Sequence, residues 1–368
     1  MLLTRVSEER SNFALKKLER KKKLKKIIEV KDLRVGFSTT EGYAEAVRGI
    51  SFFLEKAEVL AIVGESGSGK SVSSKAIMRI LPERTRCVGE VLFEGKNLLS
   101  ISEGEMCKIR GGKIAMIFQD PLSSLNPTVR VGLQIREALL IRSPKMSKAE
   151  ARMRSIELMR EVGIQDAERR YEEYPFQFSG GMRQRIVIAI ALAADPEVLI
   201  CDEPTTALDV TIEAQILDLI ESLKKKRGLS VLFITHDLGV VARIADRIAV
   251  MYAGKIVEHG TSEEIFFDPR HPYTWALFSS IPSLTDKKKL ETISGFVPSI
   301  SEKTVGDAFA PRNKYALRID YEMEPPTFQI SETHGVASWL LHPLAPHVEM
   351  PESLKKKIEK ERALPNDS

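Results

Sequence analysis

The apolar positions of this chain follow two rhythms. Short runs of strand length, at Val59–Val63, Lys113–Phe118, Glu197–Cys201 and Ser230–Ile234, stop at glycine, acidic or turn-forming residues. Between them lie stretches of helical spacing: Ser71 to about Leu81, Val129–Ile141, Ser147–Val162, Met182–Ala194 and Ile212–Lys226. Strands that alternate with helices predict an α/β domain. The chain upstream of Val59 reads differently. Ile27–Val35 alternates in part, Ser38–Gly42 is a turn, and a second strand runs from about Tyr43 to Leu54. These two strands form a hairpin ahead of Val59, and Gly89–Gly95 is a further strand-and-turn pattern. Ile244–Met251 and Gly254–Gly260 read as a last pair of hairpin-like strands.

Composition then changes along the chain. Residues 122–178 are rich in Met, Arg and Glu and read as a helical insertion, closed by the aromatic, Pro-bearing stretch Tyr171–Phe178. From Thr261 Pro and Gly become frequent, around His271-Pro-Tyr-Thr274, Ile281-Pro282 and Gly295-Phe-Val-Pro298. The expected organisation is a basic leader, 1–26; a main domain, 27–260, with a helical part at about 122–182; an appended region, 261–345; and a charged tail, 346–368. The tail from Glu352 onward is expected to fray. The leader holds eight Lys and Arg between Lys16 and Lys26, with leucines at 15, 18 and 24. It reads as a solvated tail, or as a cationic helix on an acidic lipid surface.

The chemistry concentrates after Val63. Gly64, Gly69, Lys70 and Ser71 match the spacing G-x-x-x-x-G-K-[ST]. Glycines let the backbone wrap around phosphates, and inward N–H groups form an anion nest. The helix that follows turns its positive end to the same anion. A Gly- and Ser-rich turn alone is common. One with an apolar strand before it and a helical pattern after it marks a nucleoside triphosphate site. Lys70 is then expected to reach the β- and γ-phosphates and the Ser71 hydroxyl to ligate Mg²⁺.

Other strand ends carry matching groups. Asp202 and Glu203 cap the apolar run Glu197–Cys201. Asp202 suits the metal-side carboxylate, and Glu203, one step on, suits a general base for water. Gln119 follows the run Lys113–Phe118, where it could reach the metal and the attacking water. His236 follows Ser230–Ile234, within reach of a γ-phosphate. Ser179-Gly180-Gly181 opens a second helix and forms a second anion-binding N-terminus, free to serve another copy. Phe37 is the candidate to stack on an adenine ring, with Tyr43 as runner-up; either ring could equally pack in the sheet.

Composition sets bounds on all this. The chain has 368 residues, 43% apolar and 29% charged, ordinary proportions for a globular protein. A net charge of +4 does not by itself point to nucleic acid. Cys87, Cys107 and Cys201 lack C-x-x-C spacing, so neither a disulfide framework nor a zinc site is indicated, and a reducing compartment fits. Met1–Arg20 has no apolar core of a signal peptide. The longest apolar run, Ile186–Ala194, is stopped by Asp195-Pro196, short of the roughly 20 residues that span a bilayer. A peripheral or soluble protein is expected.

Taken together, residues 27–260 resemble the ATP-binding subunit of an ABC transporter. The motifs stand in the family's order: Walker A at Gly64–Ser71, Q-loop Gln119, signature Ser179–Gln184, Walker B Val198–Asp202 with catalytic Glu203, D-loop Ala207–Asp209 and switch His236. Met182 departs from the Gln of many members and Phe178 from the usual Leu. The resemblance implies a P-loop NTPase fold with a RecA-like core, an antiparallel β-subdomain and a helical subdomain. It implies ATP and Mg²⁺ as ligands. Nucleotide contacts would come from Phe37, Gly64, Glu65, Ser66, Gly67, Ser68, Gly69, Lys70, Ser71, Val72, Ser179, Gly180, Gly181 and Asp209. The metal would be held by Ser71, Gln119 and Asp202, and catalysis would fall to Glu203, His236 and Gln119.

Ile117–Pro127, His271–Thr274 and Ser280-Ile-Pro282 narrow the likeness to the oligopeptide/dipeptide importer subgroup. That implies ATP-driven peptide uptake at the cytoplasmic face of the membrane. Two permeases, a second ATP-binding subunit in a head-to-tail pair (a heterodimer or a homodimer) and an external solute-binding protein complete such a system. Nucleic acid is not an expected partner. Sugars or nickel are alternative cargoes, and a soluble ATPase acting on DNA or ribosomes is the alternative outside transport. The single phosphate loop and the short interval between Gln119 and Ser179 disfavour the latter. Members of the subgroup often hold an iron–sulfur cluster on four cysteines. Asp307, Asn313, Asp320 and Ser338 stand at those positions here, so no cluster is expected.

Overall fold

The computed structural model describes residues 25–39, 42–206, 208–280, 295–300, 302 and 304–363. The leader through residue 24, Ala207, Ile281-Pro282 and residues 364–368 lie outside the described residues.

Two sheets carry the chain. The first is antiparallel, in the order β2-β1-β4-β5, with β1 at Lys26–Thr39, β2 at Gly42–Glu55, β4 at Arg86–Phe93 and β5 at Lys96–Asn97. The second has eight strands in the order β11-β12-β10-β9-β3-β8-β7-β6. Its parallel portion comprises β3 (Val59–Val63), β6 (Ile114–Ile117), β7 (Val198–Asp202), β8 (Ser230–Thr235) and β9 (Arg247–Tyr252). β10 (Lys255–Thr261), β12 (Gly335–Ala337) and β11 (Thr327–Gln329) add on antiparallel. The sheet thus continues from the main domain into the region after Thr261.

The parallel strands are buried on both faces, so apart from their end residues their sequences are apolar and alternate in which core they enter. Val231 and Phe233 of β8 enter a core shared with the helical insertion, alongside Ile135, Tyr171 and Ile186. Leu232 and Ile234 enter the layer between the two sheets, with Leu33, Val47 and Ile62. A third core packs Tyr252 of β9 against Tyr273, Trp275 and Phe309 of the C-terminal region.

Several boundaries differ from the sequence reading. The helix after the phosphate loop runs only Lys70–Ile77. Arg79 takes φ 50° and the Ile80 N–H returns to the Lys75 carbonyl at 3.1 Å, which closes the helix before Pro82. The helix expected from Met182 begins at Gly180 and ends at Leu192, because Ser179 supplies the cap, accepting the Met182 N–H at 3.4 Å. Ile244 is not in a strand. It ends the helix Leu238–Ile244, which Asp237 caps. The tail is not frayed from Glu352: a helix spans Glu352–Ala363 and buries Leu354 and Ile358 in the third core. Two apolar residues four apart suffice to seat one face of a helix that is otherwise charged.

Candidate functional site

Strand order decides the site. β3, β8, β7 and β6 are parallel neighbours, so Gly64, His236, Asp202 and Gln119 emerge at one sheet edge, where ligands bind in open α/β sheets.

The turn after β3 requires glycine at two places. Gly64 has φ +157°, and a Cβ there would lie 2.0 Å from the Met251 carbonyl oxygen. Gly69 has φ +99°, and its Cβ would lie 2.5 Å from the Ala46 carbonyl oxygen. Both approaches are to backbone and cannot yield. The loop folds back on Lys70, whose Nζ donates to the carbonyls of Gly64 at 2.8 Å and Glu65 at 2.9 Å and to Ser68 Oγ at 3.4 Å. Burial lowers the Lys70 pKa, against the pull of Glu203, Asp202 and Glu65. An ammonium held on carbonyl dipoles can exchange them for the oxygens of an anion.

Next to it, Ser71 Oγ donates to Asp202 Oδ1 at 2.6 Å. Asp202 is buried, and burial raises its pKa against the Ser71 hydrogen bond and the charges of Lys75 and Lys70. A hydroxyl and a carboxylate are oxygen donors of the kind Mg²⁺ takes. Glu203 has φ 49°, and its N–H donates to the Ile234 carbonyl at 2.9 Å. A non-glycine residue in this conformation is strained, and such strain is found at functional sites. Three side chains meet its carboxylate: Gln119 Nε2 at 3.1 Å, Thr206 Oγ1 at 3.0 Å and His236 Nδ1 at 3.3 Å.

The cleft above this floor is lined by Phe37, by Gly64, Glu65, Ser66, Gly67, Gly69, Lys70, Ser71 and Val72 of the loop and helix, and by Gln119, Glu203 and His236. Tyr43 is not among the lining residues: its ring lies over Gly36, and its exposed face meets Arg86, 6.0 Å from the ring centroid. Ser68 is buried within the loop, where its N–H donates to the Glu65 carbonyl at 3.2 Å and its carbonyl accepts the Gly254 N–H at 2.9 Å.

Ser179, Gly180, Gly181 and Asp209 do not line the cleft. They form a separate patch. Asp209 caps the helix Val210–Arg227 by accepting the Ile212 N–H at 3.0 Å. Gly181 lets the two helix starts meet, since a Cβ there would lie 2.3 Å from Ile212 Cγ2. Ser179 and Gly180 are exposed.

Sequence reasoning passed over Ala46, Thr206, Leu277, Ser280, Ile300 and Arg312, which complete the cleft. Thr206 had a local signal, three residues after Glu203. The last four come from the C-terminal region and carried none.

The positions of the expected cluster cysteines are occupied by side chains with other work. Asp307 accepts the Phe309 N–H at 2.9 Å, Asn313 the Tyr315 N–H at 2.9 Å, Asp320 the Leu317 N–H at 2.6 Å, and Ser338 the Leu340 N–H at 3.4 Å. Oxygen donors engaged in turn capping do not fit an iron–sulfur cluster, which thiolates hold.

Comparison with known proteins agrees with this geometry. The family described as ABC transporter matches residues 47–206, and the family described as Oligopeptide/dipeptide transporter, C-terminal region, matches residues 257–319. The chain is 57% identical to the oligopeptide transport ATP-binding protein OppD of Bacillus subtilis (strain 168), over 91% of this chain and 94% of that protein. It is 56% identical to the dipeptide transport ATP-binding protein DppD of Lactococcus lactis subsp. cremoris, over 88% of this chain and 93% of that one. Among solved structures, the dimeric post-hydrolysis state of the ATP-binding cassette MJ0796 bound to ADP and Pi superposes with a TM-score of 0.58 at 27% identity, over 64% of this chain and 98% of that one. Among the described residues no helix is long and apolar enough to cross a membrane.

Proposed function

The chain belongs to the family of ATP-binding subunits of ABC transporters, in its oligopeptide/dipeptide branch, and we propose that it is the ATP-hydrolysing subunit of a peptide importer. One observation carries the reading. Lys70, Ser71, Gln119, Glu203 and His236 line one cleft, with Asp202 hydrogen-bonded to Ser71, while Ser179-Gly180-Gly181 lie on a separate patch. A single chain therefore offers two half-sites that do not meet.

In the working unit two cassettes pair head to tail, and each ATP lies between the cleft of one and the Ser179 turn of the other. The main-chain groups from Gly64 to Val72 and Lys70 hold the phosphates. Phe37 stacks on the adenine. Ser71, Asp202 and Gln119 would hold Mg²⁺, which when bound neutralises charge on the phosphate oxygens. Glu203 takes the proton of the attacking water. Gln119 and His236, both on the Glu203 carboxylate, orient that group and sense the γ-phosphate. Asp209 sits beside the Ser179 turn, where the two cassettes meet.

Closing and reopening of the pair drives two permeases, which bear on the helical insertion near Gln119. The cassette thus works at the cytoplasmic face as a peripheral subunit, and an external binding protein delivers the peptide. Division at residue 260 between the cassette and its C-terminal extension is part of this reading. The paired cassette is a second, homologous chain in this proposal, with a homodimer as the other arrangement.

The test is capture of this chain from native membranes, with co-purified proteins identified by mass spectrometry, followed by peptide uptake in reconstituted vesicles. Recovery of two permeases and a second cassette, with ATP-dependent uptake of peptides, is the expected result. Uptake of sugar or nickel instead would correct the cargo. Recovery of ribosomal or DNA-repair proteins without membrane partners would overturn the transport role.

A further inference from the structure

Among the described residues, the region after Thr261 reaches back to Glu65 of the phosphate loop through two side chains. Glu65 is the sole acid between Gly64 and Ser71. Its N–H donates to the Tyr273 hydroxyl at 2.9 Å. Its Oε2 accepts from Arg312 at 2.9 Å. The same guanidinium nitrogen donates to the Tyr252 hydroxyl at 3.2 Å, and the guanidinium carbon lies 5.7 Å from that ring's centroid. The rings of Tyr252, Tyr273 and Phe309 pack against one another, with centroids 4.6 to 5.2 Å apart. Arg312 is therefore seated rigidly, with its side chain only 6% exposed. That exposure is too small for a flexible arm sweeping the cleft.

A carboxylate inside an anion-binding loop opposes the binding of a polyphosphate unless it is neutralised. The charge of Glu65 is felt at Lys70, where it favours the ammonium against burial. Arg312 is the cation that pairs with it, from 247 residues away.

We infer that Arg312 is a positioning residue of the nucleotide site: by neutralising and fixing Glu65, it makes the C-terminal region set the affinity of the phosphate loop for ATP. This rests on the reading of the cleft as the ATP site and deepens it. The mechanism is a charge effect on an anionic ligand. It therefore weighs more on a triphosphate than on a diphosphate, and it shrinks when Glu65 carries no charge.

The experiment uses the full chain and calorimetric titration with ADP and with a non-hydrolysable ATP analogue, each with Mg²⁺. Arg312→Met is expected to weaken the triphosphate about tenfold, a coupling of ordinary size, and ADP by clearly less. Arg312→Lys restores part of the loss. Glu65→Gln alone binds the triphosphate at least as tightly as the unaltered chain, and the double variant Glu65→Gln, Arg312→Met returns to near its affinity. Equal losses for both nucleotides, or a double variant as weak as Arg312→Met, would overturn the charge mechanism. Unchanged binding in Arg312→Met would overturn the coupling itself. If Arg312→Met does not fold, Arg312→Lys with and without Glu65→Gln makes the same comparison. Lys70→Ala marks the failure of the underlying reading: if the unaltered chain binds nucleotide no better than Lys70→Ala, the cleft is not the ATP site, and the inference falls with it.

Discussion

Glu203→Gln separates chemistry from binding at this site. The change is isosteric, so the fold should tolerate it. In the structure Oε2 accepts from Gln119 at 3.1 Å and from Thr206 at 3.0 Å, while Oε1 faces His236 Nδ1 at 3.3 Å. A glutamine keeps its oxygen on the first two donors and turns its NH₂ to the imidazole, which accepts at Nδ1 in one neutral tautomer. All three contacts survive, and the stability change should stay within about 1 kcal/mol. The amide cannot take a proton from water. A positioned general base contributes roughly 10²- to 10⁴-fold, so kcat should fall by that factor, or about 3–5 kcal/mol in the barrier. In the proposed site the loop and Lys70 hold ATP, so removal of one negative charge from the floor should leave its affinity unchanged or slightly tighter. The assay pairs phosphate release at saturating Mg-ATP with direct nucleotide binding and a thermal melt. Unchanged turnover would refute the role of Glu203. Loss of binding together with turnover would show that the carboxylate supports the site rather than the chemistry.

Two further expectations concern the C-terminal region. Leu354→Ala should destabilise the chain by about 2–5 kcal/mol, because Leu354 is 2% exposed in the third core. A urea midpoint that does not move would mean that the helix Glu352–Ala363 is not docked in solution. Glu264 is the second. Burial alone would raise its pKa, but hydrogen bonds from Ser331, Thr261 and Thr333 outweigh that and hold it at about 2, against an ordinary 4.5. A depressed folded-state pKa stabilises fully above the unfolded value and is lost as pH falls through the folded one. The stability advantage of the native chain over Glu264→Gln should therefore be full above pH 4.5 and shrink as pH falls toward about 2. A gap that stays constant over that window, measured by urea unfolding, would refute the assignment.

What could be read in the one-dimensional chain was what is decided within a few residues. The apolar run Val59–Val63 and the turn Gly64–Ser71 declare a strand and an anion nest, because glycine alone tolerates the backbone approaches at Gly64 and Gly69. The caps at Ser147, Ser179 and Asp209 also act over three residues, but apolar spacing alone does not report them: the helices capped by Ser179 and Asp209 begin at Gly180 and Val210, two residues before the expected Met182 and Ile212. That Gln119, Asp202, Glu203 and His236 each follow an apolar run was also visible. Their convergence follows from the strand order β3-β8-β7-β6, which brings four distant strand ends to one edge. The fold alone decided the rest. Arg312 and Tyr273 reach Glu65 across 247 and 208 residues, and no local pattern specifies such a pair. Leu354 and Ile358 lie in a charged tail expected to fray, and only the third core supplies something to bury them against. Short-range chemistry is written in neighbouring residues because backbone sterics and capping act there. Burial and charge pairing across the sheet are decided only when the strands have taken their order.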